Sequence, residues 1–501
     1  MQDGTRLAAV DLGSNSFRLE IGRIDRGQYY RTEYLKETVR QGNGLDGDRN
    51  LTPDAMQRGW DCLERFGERL AGFDRTEVHA VATQTLREAR NRDEFLLRAN
   101  QALGFPIEVI SGREEARLIY QGVAQALRQG NERRLVIDIG GRSTELILGQ
   151  GFAATEMESY RVGSIAWSMR YFPDGQFTKQ AFKMAEVAAK AVFDEALNVY
   201  RRDAWDIAYG SAGTVSAVGD VLAAAGYPAG VVSREGLDWL HDKLLSARHA
   251  DQIKLAGMRD DRRPIIGGGL SILRAVFDLF QIDELQQAVG GLRHGLLVDL
   301  MEHDGDLSDV RCASVERLAE KFGTELDQGL RVGTVAIHLF EQLQNDSSGH
   351  PKPIDDSLRR KLKWAGQLHE IGSHISHNDY RKHGAYILDN ADAMGFSLTE
   401  LHKLSILVLG HRGKLHKLEM DFDDGVFVQQ LLALRLSVIL CHARRDPDLA
   451  GLQLTRKGPG NRFTLSSRAG WTQAFPQSAH LLREEVLAWQ KSPWHFDFIE
   501  Q

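Results

Sequence analysis

Two segments of this chain repeat one another. Leu7-Ala8-Ala9-Val10-Asp11-Leu12-Gly13-Ser14-Asn15-Ser16-Phe17-Arg18-Leu19-Glu20-Ile21-Gly22 is echoed by Leu135-Val136-Ile137-Asp138-Ile139-Gly140-Gly141-Arg142-Ser143-Thr144-Glu145-Leu146-Ile147-Leu148-Gly149. With Asp11 laid on Asp138, Gly13 falls on Gly140, Ser16 on Ser143, Leu19 on Leu146 and Gly22 on Gly149. In each copy an apolar run leads into an aspartate, a glycine-rich turn and a second apolar run, the pattern of a β-hairpin. A repeated hairpin of this kind restricts the first half of the chain to two related lobes.

The stretch between the copies makes each lobe mixed α/β. Residues 78–81 read as a strand, and apolar spacing predicts helices at 93–103 and 114–128. Beyond the second copy, a long helix is expected at 178–200, then a short strand at 207–210 opening a loop at 211–214. The pattern turns polar at 303–306, where the second lobe is expected to close. From about 310 onward helical segments dominate, with a loop at 345–351. Residues 452–454 and 463–465, flanking a turn at 457–461, predict a short hairpin.

At 501 residues the chain is too long for one core, and its 42% hydrophobic and 26% charged residues are those of an ordinary globular protein. The three cysteines, Cys62, Cys312 and Cys441, are far apart in sequence and suggest neither a disulfide framework nor a thiolate zinc site, which fits a reducing cytoplasm. No signal-peptide pattern opens the sequence, and the longest apolar run, 431–441, is short and contains Arg435, so no membrane insertion is expected. A net charge of −7 argues against nonspecific nucleic-acid binding; a phosphate-rich ligand has to be held by local donors.

Gly13-Ser14-Asn15-Ser16 and Gly140-Gly141-Arg142-Ser143-Thr144 supply such donors: small residues that let backbone N–H groups approach phosphate oxygens, and hydroxyls beside them. Asp11 or Asp138, at the strand ends, carries the charge to hold magnesium, which takes one or two carboxylates together with substrate phosphates. One such turn is most simply a hairpin turn; two in register, with Gly210-Ser211-Ala212-Gly213-Thr214 as a third, point to phosphate. Ser111 and Glu114 have capping-box spacing, which leaves Glu115 over. Glu115 either balances the helix dipole or points into a cleft and orients or deprotonates the attacking water. Arg87, after Thr83-Gln84-Thr85-Leu86, is either a phosphate clamp or a solvated helical arginine. Gly42-Asn43-Gly44-Leu45-Asp46-Gly47 matches a dinucleotide fingerprint by letter but opens no βαβ unit, and is expected to be a loop. No Walker A sequence and no Gly-x-Ser-x-Gly elbow is present, and His369-Glu370 with His374 lacks the spacing of a zinc protease helix.

These marks resemble the exopolyphosphatase and guanosine pentaphosphate phosphohydrolase (Ppx/GppA) family of the actin, sugar kinase and Hsp70 superfamily. The resemblance is carried by residues 11–16, 111–118, 138–145 and 210–214, and by Leu368 to Leu388 in the helical half. It implies an α/β body of two actin-like (ribonuclease H-like) lobes with a cleft, at 1–126 and 127–306. A mainly α, HD-like domain at 307–420 and a small α+β piece at 421–501 would follow. It implies catalytic roles for Glu115, Asp138 and Glu145, a magnesium site at Asp11, Asp138 and Glu145, and a phosphate grip by Thr85, Arg87, Asn15, Ser143 and the turn glycines. The glycines include Gly210 and Gly213, with Ser211 and Thr214 beside them. Arg142 departs from the family, which usually has a small residue there. The HD-like half has Glu370 where the defining aspartate is expected, so a degenerate domain that helps to bind substrate or partner is favoured over a second metal centre.

The expected activity is hydrolysis of terminal phosphate from inorganic polyphosphate. The first alternative is cleavage of guanosine pentaphosphate (pppGpp) to the tetraphosphate. A non-hydrolytic polyphosphate or nucleotide sensor, or a kinase, are the readings from other classes. Basic residues of the helical half, among them Arg359, Lys361, Arg381, Arg412 and Lys414, are either a path for a polyanion or solvated helix faces. A homodimer through that half is an expectation that no residue pattern fixes.

Overall fold

The computed structural model describes residues 2–128, 130–301, 306–344, 354–456 and 461–500. The polar segment 303–305, the loop expected at 345–351 and most of the turn expected at 457–461 lie outside the described residues. The chain divides into two compact units, Met1–Leu307 and Ser308–Gln501. Among the described residues, no helix is long and apolar enough to cross a membrane.

In the first unit, β1 (Arg6–Leu12), β2 (Phe17–Asp25), β3 (Gln28–Glu37), β4 (Val78–Ala82) and β5 (Ile107–Val109) form a sheet in the order β3-β2-β1-β4-β5. A second sheet contains β6 (Arg133–Ile139), β7 (Thr144–Gln150), β8 (Ala153–Tyr160), β9 (Ile207–Ser211), β10 (Val231–Ser233) and β11 (Glu284–Gln287), in the order β10-β11-β9-β6-β7-β8. The sequence echo is therefore an echo of topology. Each hairpin carries a third antiparallel strand, and β4 lies parallel to β1 as β9 does to β6. β1 and β6 are buried over six of their seven residues, which is why both read as unbroken apolar runs. The paired glycines have a physical cause as well. Each sits at a register shift, where a Cβ on Gly22 would lie 2.4 Å from the Tyr29 ring and one on Gly149 2.3 Å from the Tyr120 ring.

The helix Gly112–Ala126 lies between the two sheets. Its Leu118 joins Leu7, Ala9, Val81 and Ile110 in the core of the first lobe, while Ile119 and Val123 pack on Val136 and Ile147 of the second. The helix Leu292–Met301 crosses it at close range: a Cβ on Gly295 would stand 2.0 Å from the Leu118 carbonyl oxygen. Leu296, Leu297 and Leu300 of that helix enter the first lobe's core, so the chain returns there before residue 306 rather than ending in the second lobe. The helices expected at 93–103 and 114–128 are found as Arg92–Leu103 and Gly112–Ala126. The one expected at 178–200 stops at Phe193, and Tyr200 folds back to donate its hydroxyl to the Leu146 carbonyl at 2.9 Å.

In the second unit a single core runs from Val315 to Phe496. The helix Gly425–Leu440 is buried nearly all round within it, so the division expected at 420 falls inside one core. β12 (Leu452–Arg456) and β13 (Arg462–Ser467) form the expected hairpin, and β14 (His495–Glu500), which sequence reasoning missed, pairs parallel to β13. Glu370 takes two hydrogen bonds from Arg444, at 2.8 and 3.0 Å. His369 and His411 pack edge to face with ring centroids 5.4 Å apart, and burial holds both imidazoles below their ordinary pKa.

Candidate functional site

Asp11 is the penultimate residue of β1, beside Val81 and opposite Arg18; Asp138 is the penultimate residue of β6, beside Ser211 and opposite Glu145. The two aspartates are thus equivalent positions of the duplicated lobes, and both line a single cavity of about 350 Å³. Gly13, Ser14, Asn15 and Ser16 line it from one lobe, and Gly140, Gly141 and Ser143 from the other. The glycine turns face each other so closely that a Cβ on Gly141 would come within 3.0 Å of Ser14 Cβ.

Glu115 enters this cavity from the first turn of the helix Gly112–Ala126. Ser111 caps that helix, its Oγ accepting from the Glu114 N–H at 3.1 Å. The reciprocal half of the expected capping box is not made, because Arg117 takes the Glu114 carboxylate, at 2.7 and 2.9 Å. Glu115 Oε2 lies 2.8 Å from Arg87 Nη1, an ion pair whose angle leaves that oxygen without an in-line donor. Burial raises the Glu115 pKa, the Arg87 charge opposes the rise and Asp11 adds to it. Burial likewise pushes Asp138 up to about 7, opposed by a hydrogen bond from Ser211 and reinforced by Glu115. Glu145 is raised well above the carboxylate range by burial and by Glu115 and Asp138.

Not every expected residue reaches the cavity. Glu145 accepts from Ser159 Oγ at 2.7 Å and stays beneath the wall. Thr85 donates to Ser14 Oγ at 2.8 Å and so orients a turn residue instead of facing a ligand. Arg87 is committed to Glu115, Gln84 and the Ile110 carbonyl, and Arg142 to Glu88 and the Gly42 carbonyl. Thr144 and Thr214 spend their hydroxyls on the carbonyls of Val162 and Ile139. Gly210 is a packing glycine: a Cβ there would press on Leu285 and Val215. The segment 210–214 is the end of β9 and the start of the helix Ala212–Ala224, not a loop; Ser211 and Gly213 do line the cavity. At the junction Ala212 has φ 64°, a strained value for a residue with a side chain.

Residues 21–304 match the model of the Ppx/GppA phosphatase family, and residues 310–486 match Ppx/GppA phosphatase, domain III. The chain belongs to the Ppx/GppA phosphatase family. It is 36% identical, over 480 residues and 95% of both chains, to a guanosine-5'-triphosphate,3'-diphosphate pyrophosphatase of Vibrio parahaemolyticus serotype O3:K6 (strain RIMD 2210633). A relative of the same description from Vibrio vulnificus (strain YJ016) is 37% identical over 481 residues, 96% of this chain and 95% of that one. Among solved structures, an exopolyphosphatase from Cytophaga hutchinsonii ATCC 33406 superposes with a TM-score of 0.53 at 22% identity, covering 60% of this chain and 98% of its own. That likeness establishes the actin-like α/β fold of the body. As a member of the Ppx/GppA family, the protein is a phosphoanhydride hydrolase.

This Ppx/GppA cleft also has a basic wall that sequence reasoning missed. Arg18, Lys36, Arg259, Arg262 and Arg293 line the cavity with Tyr34. Arg18 pairs with Asp11 at 3.2 Å, Lys36 and Arg259 flank Asp261 at 3.5 and 2.8 Å, and Arg293 lies over the Tyr34 ring at 4.8 Å. Arg262 packs its guanidinium on Gly213, where a Cβ would stand 2.2 Å from Nη2. One signal for Arg18 was available: the alignment that lays Asp11 on Asp138 also lays Arg18 on Glu145.

Among the described residues, no group of three or more His, Cys, Asp or Glu side chains is placed to hold a metal ion. Asp11 is engaged by Arg18 and Glu145 by Ser159, so the three carboxylates form no ready cage. Asp11 and Asp138, buried, facing one cavity and offering hard oxygen donors, still fit a cation that takes one or two carboxylates and completes its shell with water and phosphate.

Proposed function

We propose that this Ppx/GppA phosphatase removes the terminal phosphate from the 5'-triphosphate of pppGpp, leaving the tetraphosphate. The observation that carries this is the pairing, in one cavity, of the facing glycine turns and Glu115 with a separate basic wall of Arg18, Lys36, Arg259 and Arg262. A linear polymer calls for cations strung along a path, whereas a nucleotide with two phosphorylated arms calls for two anion-holding regions in one chamber. The names of the Vibrio relatives, which align along nearly the whole chain, support the same choice over polyphosphate.

The transferring phosphoryl group passes through a loose transition state, so catalysis rests on positioning and on stabilising charge. Backbone N–H groups of Gly13 and Gly141, with the hydroxyls of Ser14, Ser16 and Ser143, would hold the terminal phosphates from opposite sides. Glu115, whose carboxylate Arg87 stabilises against burial, would accept a hydrogen bond from the attacking water and orient it in line. Magnesium, when bound by Asp11 and Asp138 together with the phosphates, supplies neutralising charge.

The test is release of inorganic phosphate from pppGpp and from long-chain polyphosphate, each at two ionic strengths. The expected result is a higher kcat/KM for pppGpp with a shallow salt dependence. A higher kcat/KM for polyphosphate, falling steeply with salt as binding of a long polyanion does, overturns the proposal.

A further inference from the structure

Arg142 sits in the second glycine turn, but its guanidinium turns away from the cavity and across to the first lobe. Nε and Nη2 donate to Glu88 Oε2 at 3.1 and 2.9 Å, and Nη1 donates to the Gly42 carbonyl at 2.9 Å. Glu88 ends the short helix Gln84–Glu88, and its other oxygen, Oε1, accepts from Gln84 Nε2 at 2.7 Å. Gln84 Oε1 accepts in turn from Arg87 Nε and Nη2, at 3.0 and 2.7 Å, and Arg87 Nη1 reaches Glu115 Oε2 at 2.8 Å. The donors and acceptors alternate without conflict from Arg142 to Arg87, and an ion pair joins Arg87 to Glu115. Reversing the Gln84 amide would break the chain at both of its ends, so the polarity of the series is fixed. Gln84 and Glu115 are buried and Arg87 and Glu88 nearly so, which limits competition from water.

We propose that Arg142 is a positioning residue that acts across the cleft, through Glu88, Gln84 and Arg87, to fix the orientation of Glu115. The Arg87 guanidinium is held at Nη1 by the Ile110 carbonyl at 2.9 Å and gripped at Nε and Nη2 by one amide oxygen, so the angle at which it pivots about Nη1 to meet Glu115 depends on where Gln84 is held. Gln84 is held by Glu88, and Glu88 by an arginine of the opposite lobe. The carboxylate that orients water is therefore set correctly only when the second glycine turn is seated against the first lobe, and docking of the turns and readiness of Glu115 become one event. The inference rests on the reading in which Glu115 assists hydrolysis.

The experiment measures kcat and KM, on whichever of pppGpp or polyphosphate the wild type hydrolyses, for Arg142→Met, Arg142→Lys, Gln84→Met and the Arg142→Met/Gln84→Met double variant, with Glu115→Gln as reference. Arg142→Met and Gln84→Met should each lower kcat roughly tenfold with KM changed less than about twofold, the scale expected when a reacting group is misplaced without loss of binding. The double variant should lose no more than either single one, because both cut the same series, and Arg142→Lys should recover most of the loss. If Arg142→Met fails to fold, Gln84→Met decides, since it interrupts the series without touching the contact between lobes. Wild-type kcat in Gln84→Met, additive losses in the double variant, or a raised KM with unchanged kcat in Arg142→Met overturns the proposal; the last result would make Arg142 a direct phosphate ligand. A Glu115→Gln variant with full turnover overturns the role of Glu115 itself, whereas a crippled Glu115→Gln beside an active Gln84→Met removes the relay alone.

Discussion

Lys36 is half-buried in the basic wall, with Arg262 and Arg259 as neighbours and Asp261 as a paired anion at 3.5 Å. Burial, reinforced by these two arginines and by Arg18, lowers its pKa to about 8, and Asp261 recovers only part of the shift. The sign follows directly: below about 8 the ammonium is charged and attracts a phosphate arm, and above it the charge is lost. kcat/KM for pppGpp is therefore expected to fall as pH rises through about 8. In Lys36→Arg that alkaline limb should vanish, and in Lys36→Met the low value should hold on both sides. A limb unchanged in Lys36→Arg removes Lys36 from substrate binding. The sequence concealed this residue for a physical reason. Positions 36, 259 and 262 are gathered only by the tertiary fold, and each alone is indistinguishable from a solvated surface charge. Glu115 was legible because Ser111 and Glu114 account for the helix start without it.

At the scale of elements, the helix Gly112–Ala126 controls where Glu115 stands, and its placement depends on how closely Leu292–Met301 approaches. Small residues make that approach. A Cβ on Gly295 would lie 2.0 Å from the Leu118 carbonyl oxygen, and one on Gly122 2.2 Å from the Gly291 carbonyl oxygen. Backbone cannot yield as a flexible side chain does, so Gly295→Ala has to push the helices apart. The expected cost is about 1–3 kcal/mol of stability, together with a fall in kcat because Glu115 moves with its helix. Denaturant unfolding and steady-state kinetics on one preparation check both, and a variant unchanged in both would contradict the packing. The central hairpins were legible because β1 and β6 are buried on both faces and spell unbroken apolar runs. The edge strand β3 was not, since its ten residues are exposed or half-buried and carry no apolar alternation. The return of Leu292–Met301 to the first lobe was equally hidden, because an apolar helix face does not declare which of two cores it enters.

For the whole molecule, the decisive property is that the two units share no core: the lobes of Met1–Leu307, tied together by the helix Gly112–Ala126, on one hand, and the continuous Val315 to Phe496 cluster on the other. Units with separate cores unfold as separate transitions. At about 0.7 kcal/mol per residue, the first should absorb about 210 kcal/mol and the second about 135 kcal/mol, which makes the two peaks assignable by calorimetry. Every residue proposed to touch substrate lies in the first unit. A ligand bound only there stabilises only that transition, by about 2.7 kcal/mol at a hundredfold excess over Kd. Spread over the unfolding entropy of a unit this size, that is a rise of about 4 °C in one Tm. The measurement uses the Glu115→Gln variant with pppGpp and magnesium, so that the ligand survives the scan. Movement of the larger peak alone is expected; equal movement of both, or of the smaller alone, would place substrate contacts in the helical unit and return the basic residues around Arg359, Arg381 and Lys414 to consideration as part of the binding surface.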